Sequence, residues 1–399
     1  MAERTKALVE KELLQWARKT ASLPLEDAAR VAHVPLEKLE AWENGDDSPS
    51  IPELKKLATA YKRPLSVFFL PEPPTDFQPL HDFRRLPEIG EQEYSRALAF
   101  EIRAAQERRA VAVDLLDRVD DMPVWDIDAT VRDDPEELAE RIRKKLNVPM
   151  AKQSRWGDPA KAFRAWRDAI EDSGVLVSVL GGAHHKVPLT EVRGFALAER
   201  PLPMIVVNGK DRTNGRIFTL MHELAHVALG VSAIENEVEP GNHMPAPVRK
   251  IETFCNKVAA AVLMPRTNLR NEHLAAGKTA ASEWSDAEIA ALAQRYCVSR
   301  EALLVRLSAL RLADNDFVQQ RRRVFAKEYE DLDDGADAGG GYVPYPTQVI
   351  THIGRSFARL VLQGYYNQSL TLSTASGYLG TQAKNVSSLE RLAFGTGAN

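Results

Sequence analysis

The chain has 399 residues, 44% of them hydrophobic and 27% charged, with a formal net charge of -4. These values fit a soluble globular protein of two or three domains and exclude an overall basic footprint for nucleic acid, so any such contact must be local. Two cysteines, Cys255 and Cys297, are too few for a disulfide framework or a cysteine-based metal site, and a reducing compartment fits them. No apolar run reaches the length of a membrane span, and the charged N-terminus lacks a secretory core, so a cytoplasmic location is expected.

Residues 8–21, 25–33, 36–44 and 51–61 read as four short helices. Pro24 and Pro35 open the second and third, Gly45 stops the third, and Ser50 caps a fourth that carries Pro52 in its first turn. A short apolar piece follows at 65–70. A tight turn between the second and third helices is the helix-turn-helix pattern. Trp42, Glu43, Gly45, Pro49, Leu54, Leu57 and Ala58 resemble the signature of the XRE (Cro/C1-type) repressor domain. The resemblance covers most of 8–70. It implies a DNA reader working through residues 20–50, with Lys38, Trp42 and Asn44 as candidate DNA or partner contacts. The charge of the third helix opposes that role. Residues 35–47 carry Glu37, Glu40, Glu43, Asp46 and Asp47 against one base, Lys38, whereas phosphate neutralisation supplies much of DNA affinity.

Residues 71–130 read as a connector. Its first part, 71–90, is proline-rich, and Asp82, Phe83, Arg84 and Pro87 point to an ordered strap. Its second part, 91–120, is a long helix without internal proline or glycine, expected to act as a spacer with a solvated charged face.

The next region, 131–330, has the pattern of an α+β domain. Helices are expected at 136–146 and 158–173, the latter capped by Asp158 with Pro159 in its first turn. Short β-type runs follow at 175–180, 194–197 and 203–208, separated by turn residues. The strand at 203–208 feeds the next helix, and its edge is expected to pair with an extended substrate backbone.

That next helix, within 217–230, carries His222, Glu223 and His226 as H-E-x-x-H in an apolar run closed by Gly230. Residues four apart share a helix face, so the two imidazoles can hold one zinc ion while Glu223 activates water. A catalytic zinc takes a third protein ligand. Glu252 on the helix 248–265 is preferred, because a helix holds a ligand more rigidly than a loop does. Glu235, Glu237, Glu239 and His243 are the alternatives. Asn256, one turn beyond Glu252, can orient a ligand by hydrogen bonding. A donor for a developing oxyanion is also required, and His184, His185, Arg193 and His243 are candidates.

The order PMIVVN, RIFTLMHELAHVALG, IETFCNKVAAAVLMP resembles the ImmA/IrrE group of zinc peptidases, often found beside or fused to an XRE domain. The resemblance covers 130–330 well. It implies that His222, His226 and Glu252 bind zinc, that Glu223 is the general base, and that the substrate is a protein such as a transcriptional repressor in stress or phage-related regulation. Cys255 is a departure, standing where the family usually has alanine; it reads as a core substitution.

Residues 286–312 form a further helix pair with Ser299 capping its second member, and Arg321, Arg322 and Arg323 read as a solvated basic run. An acidic, glycine-rich linker is expected at 331–342. A small helical module, 343–399, follows, with helices at 349–362, 372–379 and 385–393. Three functional readings emerge: a zinc endopeptidase acting on a protein partner, an XRE-type regulator using the peptidase fold as a sensor, and a toxin-antitoxin or phage-defence component working by protein contact. Oligomeric state is not legible.

Overall fold

A computed structural model describes residues 6–21, 23–63, 65–74, 81–82, 95–116, 123–181, 187–235, 245–333 and 343–395. The chain divides into two compact units, 1–79 with 87–106, and 80–86 with 107–399.

In the first unit, four helices form as the sequence dictates: α1 Lys11–Thr20, α2 Leu25–Ala32, α3 Leu36–Asn44 and α4 Ile51–Tyr61. His33 and Gly45 end α2 and α3 in the left-handed conformation. Ser50 and Glu53 make a capping box at the head of α4, with the Ser50 amide donating to the Glu53 carboxylate at 2.9 Å. Leu14, Leu39, Trp42, Leu54, Leu57, Tyr61 and Phe68 fill the core between them.

The long helix, α5, spans Arg96–Leu116. It is not the solvated spacer that its charges imply. Leu98, Ala99, Phe100 and Ile102 are buried, and so are Glu101 and Arg103. Arg96 and Arg103 donate to the carbonyls of Ala60 and Tyr61, the last of α4, where a cation complements the helix dipole. Farther along, Arg109 donates to the carbonyls of Leu202 and Glu199 within the second unit. Arg96, Arg103 and Arg109 therefore bind backbone carbonyls, and Arg108 donates to Ser178 Oγ at 2.8 Å.

The second unit contains β1 His81–Asp82, α6 Pro135–Lys145, α7 Met150–Gln153, α8 Pro159–Glu171, β2 Leu176–Leu180, β3 Gly194–Leu197 and β4 Met204–Asn208. After these come α9 Thr213–Leu229, β5 Ala233–Glu235, α10 Ala246–Leu263, α11 Arg266–Arg270, α12 Asp286–Tyr296, α13 Arg300–Ala309 and α14 Asn315–Asp333. Asp134 and Asp158 cap α6 and α8 by accepting backbone amides, and Ser299 does the same for α13. The sheet order is β1-β5-β3-β4-β2. β2 runs parallel to β4, while β3 is antiparallel to both β4 and β5. β2, β3 and β4 are buried along their whole length, as expected of strands covered on both faces.

Two sequence expectations change here. The strand feeding the motif helix, β4, is bonded on both sides, by β3 and β2, and has no edge left for a substrate. Two of the three consecutive arginines are also drawn into ion pairs: Arg321 pairs with Asp286, and Arg322 pairs with Glu301 at 2.7 Å, while Arg323 is exposed.

The final helices are α15 Tyr345–Ile353, α16 Arg355–Tyr366, α17 Leu372–Tyr378 and α18 Val386–Phe394. The expected continuous helix 349–362 is broken at Gly354, which has φ 89° and ψ 147°. The break follows from close packing on β2: a Cβ at Gly354 would sit 2.4 Å from the Val177 carbonyl oxygen. Beside it, His352 Nδ1 lies 3.1 Å from the Val179 carbonyl oxygen. A carbonyl only accepts, so Nδ1 donates, and Nε2 is left to accept from Arg108 at 3.1 Å. Ser178 Oγ donates to the His352 carbonyl at 2.7 Å. Residues 352–354 thus cover the outer edge of β2. Among the described residues no helix is long and apolar enough to cross a membrane.

Candidate metal centre

Helix α9 is buried on nearly every side from Ile217 to Ala228. Such a helix belongs in a core, and its polar residues there require partners. Gly230 ends it in the left-handed conformation, with Val231 N donating to the His226 carbonyl. α9 packs against α10 on one side and against β3 and β4 on another. The four-residue spacing places His222 and His226 on one face of α9, toward Glu252 of α10.

The three side chains meet at one point. His222 Nε2 is 3.0 Å from His226 Nε2 and 3.2 Å from Glu252 Oε2, and His226 Nε2 is 3.5 Å from Glu252 Oε1. His222 is 5% exposed, and His226 and Glu252 are 0%. Two ligands each about 2.0–2.1 Å from a tetrahedral ion stand about 3.3 Å apart, so this triangle has the size of a zinc donor set. The chemistry of the set agrees. His222 Nδ1 lies 2.9 Å from Asn256 Oδ1, an acceptor, so Nδ1 carries the proton and Nε2 offers its lone pair inward. Burial pushes the His226 pKa below the ordinary histidine value, against the raising effect of Glu252. A neutral imidazole is the form a metal requires. Three buried electron-pair donors turned toward one another fit a cation between them.

Of the sequence candidates, His222, His226, Glu252 and Asn256 come together, and Glu223, 1% exposed, lies beside them on α9. Glu237, Glu239, His184, His185 and His243 lie outside the described residues. Arg193 donates to Asp211 Oδ2 at 2.8 Å, ahead of α9, and is committed there. In the first unit Trp42 is 2% exposed and belongs to the core beside Leu39, which leaves it little surface for a DNA contact. Glu43 is also buried and accepts from Arg18 Nε and Nη2, at 2.8 and 2.9 Å. Lys38 pairs with Glu53 at 3.1 Å, and Asn44 is exposed. Gly194, at the head of β3, lies against Thr219 and Glu223 of α9, a contact that the sequence signals only by a glycine at the start of an apolar strand.

A two-histidine, one-glutamate cluster on paired helices beside a small sheet is the donor set of a metallopeptidase fold. Residues 183–308 match the family model Peptidase_M78, the IrrE N-terminal-like domain, and residues 14–68 match the HTH_3 helix-turn-helix model. Comparison with curated proteins and with solved structures gave no match. The two matches, an IrrE-like peptidase domain at 183–308 and an XRE-type helix-turn-helix at 14–68, are those of an ImmA/IrrE protein with an N-terminal XRE domain.

Proposed function

We propose that the chain is a zinc-dependent endopeptidase that makes a limited cut in a protein partner, such as a transcriptional repressor. The buried triangle of His222, His226 and Glu252, with Glu223 on the same helix, carries this reading. His222, His226 and Glu252 would hold zinc, and Asn256 would fix the His222 ring. When bound, zinc supplies Lewis-acid polarisation and eases loss of a proton from water. Glu223 takes that proton and passes it to the leaving amine. Nearly complete burial of these side chains suits selective cleavage better than general digestion. The peptidase part is taken as 131–330, with 343–399 as an appended module.

The match at 14–68 supports a second reading, in which the first unit binds DNA and the peptidase fold acts as a sensor. The exposed α3 residues argue for protein contact instead: Glu37 and Glu40 are acidic, and Lys38 is engaged by Glu53. A gel-shift titration against salt on the chain's own promoter separates the two, since DNA reading requires a steep salt dependence. For the peptidase reading, the chain is co-expressed with candidate repressors of the helix-turn-helix type. A cleavage fragment that is present with wild type and absent with Glu223→Gln supports the proposal; a purified protein without stoichiometric zinc refutes it.

A further inference from the structure

β3 begins at Gly194, which pairs with Val207 of β4 and Glu235 of β5. A Cβ built there would stand 2.6 Å from Thr219 Cγ2, 3.0 Å from the Val206 carbonyl oxygen and 3.1 Å from Glu223 Oε1. Thr219 and Glu223 are four apart on α9 and therefore lie one turn from each other on one face. That face rests on the bare backbone of β3 at Gly194. Gly194 carries no positive φ in this structure, so its conformation would admit alanine. The space is what excludes a side chain. Two of the three clashing atoms cannot yield cheaply: one is backbone, and the other belongs to a stiff β-branched side chain buried in the core.

We infer that Gly194 is a positioning residue for Glu223: the absence of a side chain lets α9 lie close enough to β3 to hold the Glu223 carboxylate at the metal triangle. This rests on the metallopeptidase reading above. A Cβ at 194 meets Thr219 Cγ2 first, then the Val206 carbonyl and the Glu223 carboxylate, and the three nearest atoms include none of His222, His226 or Glu252. A misplacement of about 1 Å for a group that must meet a reacting atom costs up to about a hundredfold, so a partial shift here should cost about tenfold.

The test uses the full chain loaded with cobalt(II), whose visible absorption reports both ion uptake and binding of acetohydroxamate. A hydroxamate chelates the ion and hydrogen-bonds to a carboxylate beside it, so its affinity reads the Glu223 position without any substrate. Wild type should bind one cobalt and then acetohydroxamate. Gly194→Ala should bind cobalt with unchanged stoichiometry but acetohydroxamate about tenfold more weakly. Gly194→Ala with Thr219→Ser, which removes Cγ2, should recover most of that loss. Thr219→Ile approaches the same contact from the helix side and serves if Gly194→Ala does not fold; it should weaken acetohydroxamate similarly. Unchanged acetohydroxamate affinity in a cobalt-loaded Gly194→Ala, or no recovery with Thr219→Ser, overturns the proposal alone. Cobalt uptake without acetohydroxamate binding in wild type also overturns it. Failure of wild type to take up cobalt overturns the metal reading and the proposal with it.

Discussion

Glu171→Gln offers a quantitative check on how the last helices are attached. Glu171 ends α8, is wholly buried, and accepts the Ser356 amide at 2.9 Å at the head of α16. Burial pushes its pKa up from the ordinary 4.5 to about 7; Arg167, the Ser356 amide and Arg355 act in the opposite direction. The sign follows from proton linkage. The folded chain holds this proton to higher pH than the unfolded chain, so the group's contribution to stability is greatest below pH 4.5. It falls as pH rises from 4.5 through about 7, and levels off above that. The interval of about 2.5 between those values, at about 1.4 kcal/mol each, is a cost of about 3 kcal/mol at pH 8. Glutamine keeps an acceptor for Ser356 and carries no charge, so it removes that cost. Thermal unfolding of wild type and Glu171→Gln should nearly coincide at pH 5. At pH 8 the variant should be more stable, by about 5 °C for a unit of this size. A variant that is equally or less stable at pH 8 refutes the reasoning, because the carboxylate would then be ionised and well compensated.

Other changes should behave as follows. Gly354→Ala puts a Cβ against the Val177 carbonyl at a positive φ and should destabilise the chain by about 2 kcal/mol or more, with faster proteolysis within residues 343–395. Calorimetry and timed proteolysis read this directly, and an unchanged cleavage pattern contradicts it. Asn256→Ala removes the group that orients His222 and should weaken zinc binding about 10- to 100-fold in a chelator competition, with little effect on fold. An unchanged zinc affinity would show that the ring is fixed by packing alone.

Local chemistry made much of this molecule legible. Proline, glycine and serine caps marked α2, α3 and α4 because their effects act within one turn. The spacings of His222 to His226 and Glu252 to Asn256 are helix-face relations, so the donor set could be read before its distances were known. What lay hidden depends on distant partners. The arginines of α5 look solvated until the carbonyls of Ala60, Tyr61, Leu202 and Glu199 arrive to receive them. β4 loses its free edge because β2, some thirty residues earlier, pairs with it. Gly354 breaks a helix only because the Val177 carbonyl is beneath it. Trp42 carries the helix-turn-helix signature, but its burial leaves it little surface for a DNA contact.

The most direct measurement compares wild type and Glu223→Gln for bound zinc and for cleavage of co-expressed candidate repressors, in the same preparations. Equal, stoichiometric zinc with cleavage lost only in the variant is the expected result. Cleavage that survives Glu223→Gln, or wild type that cleaves without zinc, would contradict a metal-centred peptidase built on His222, His226 and Glu252.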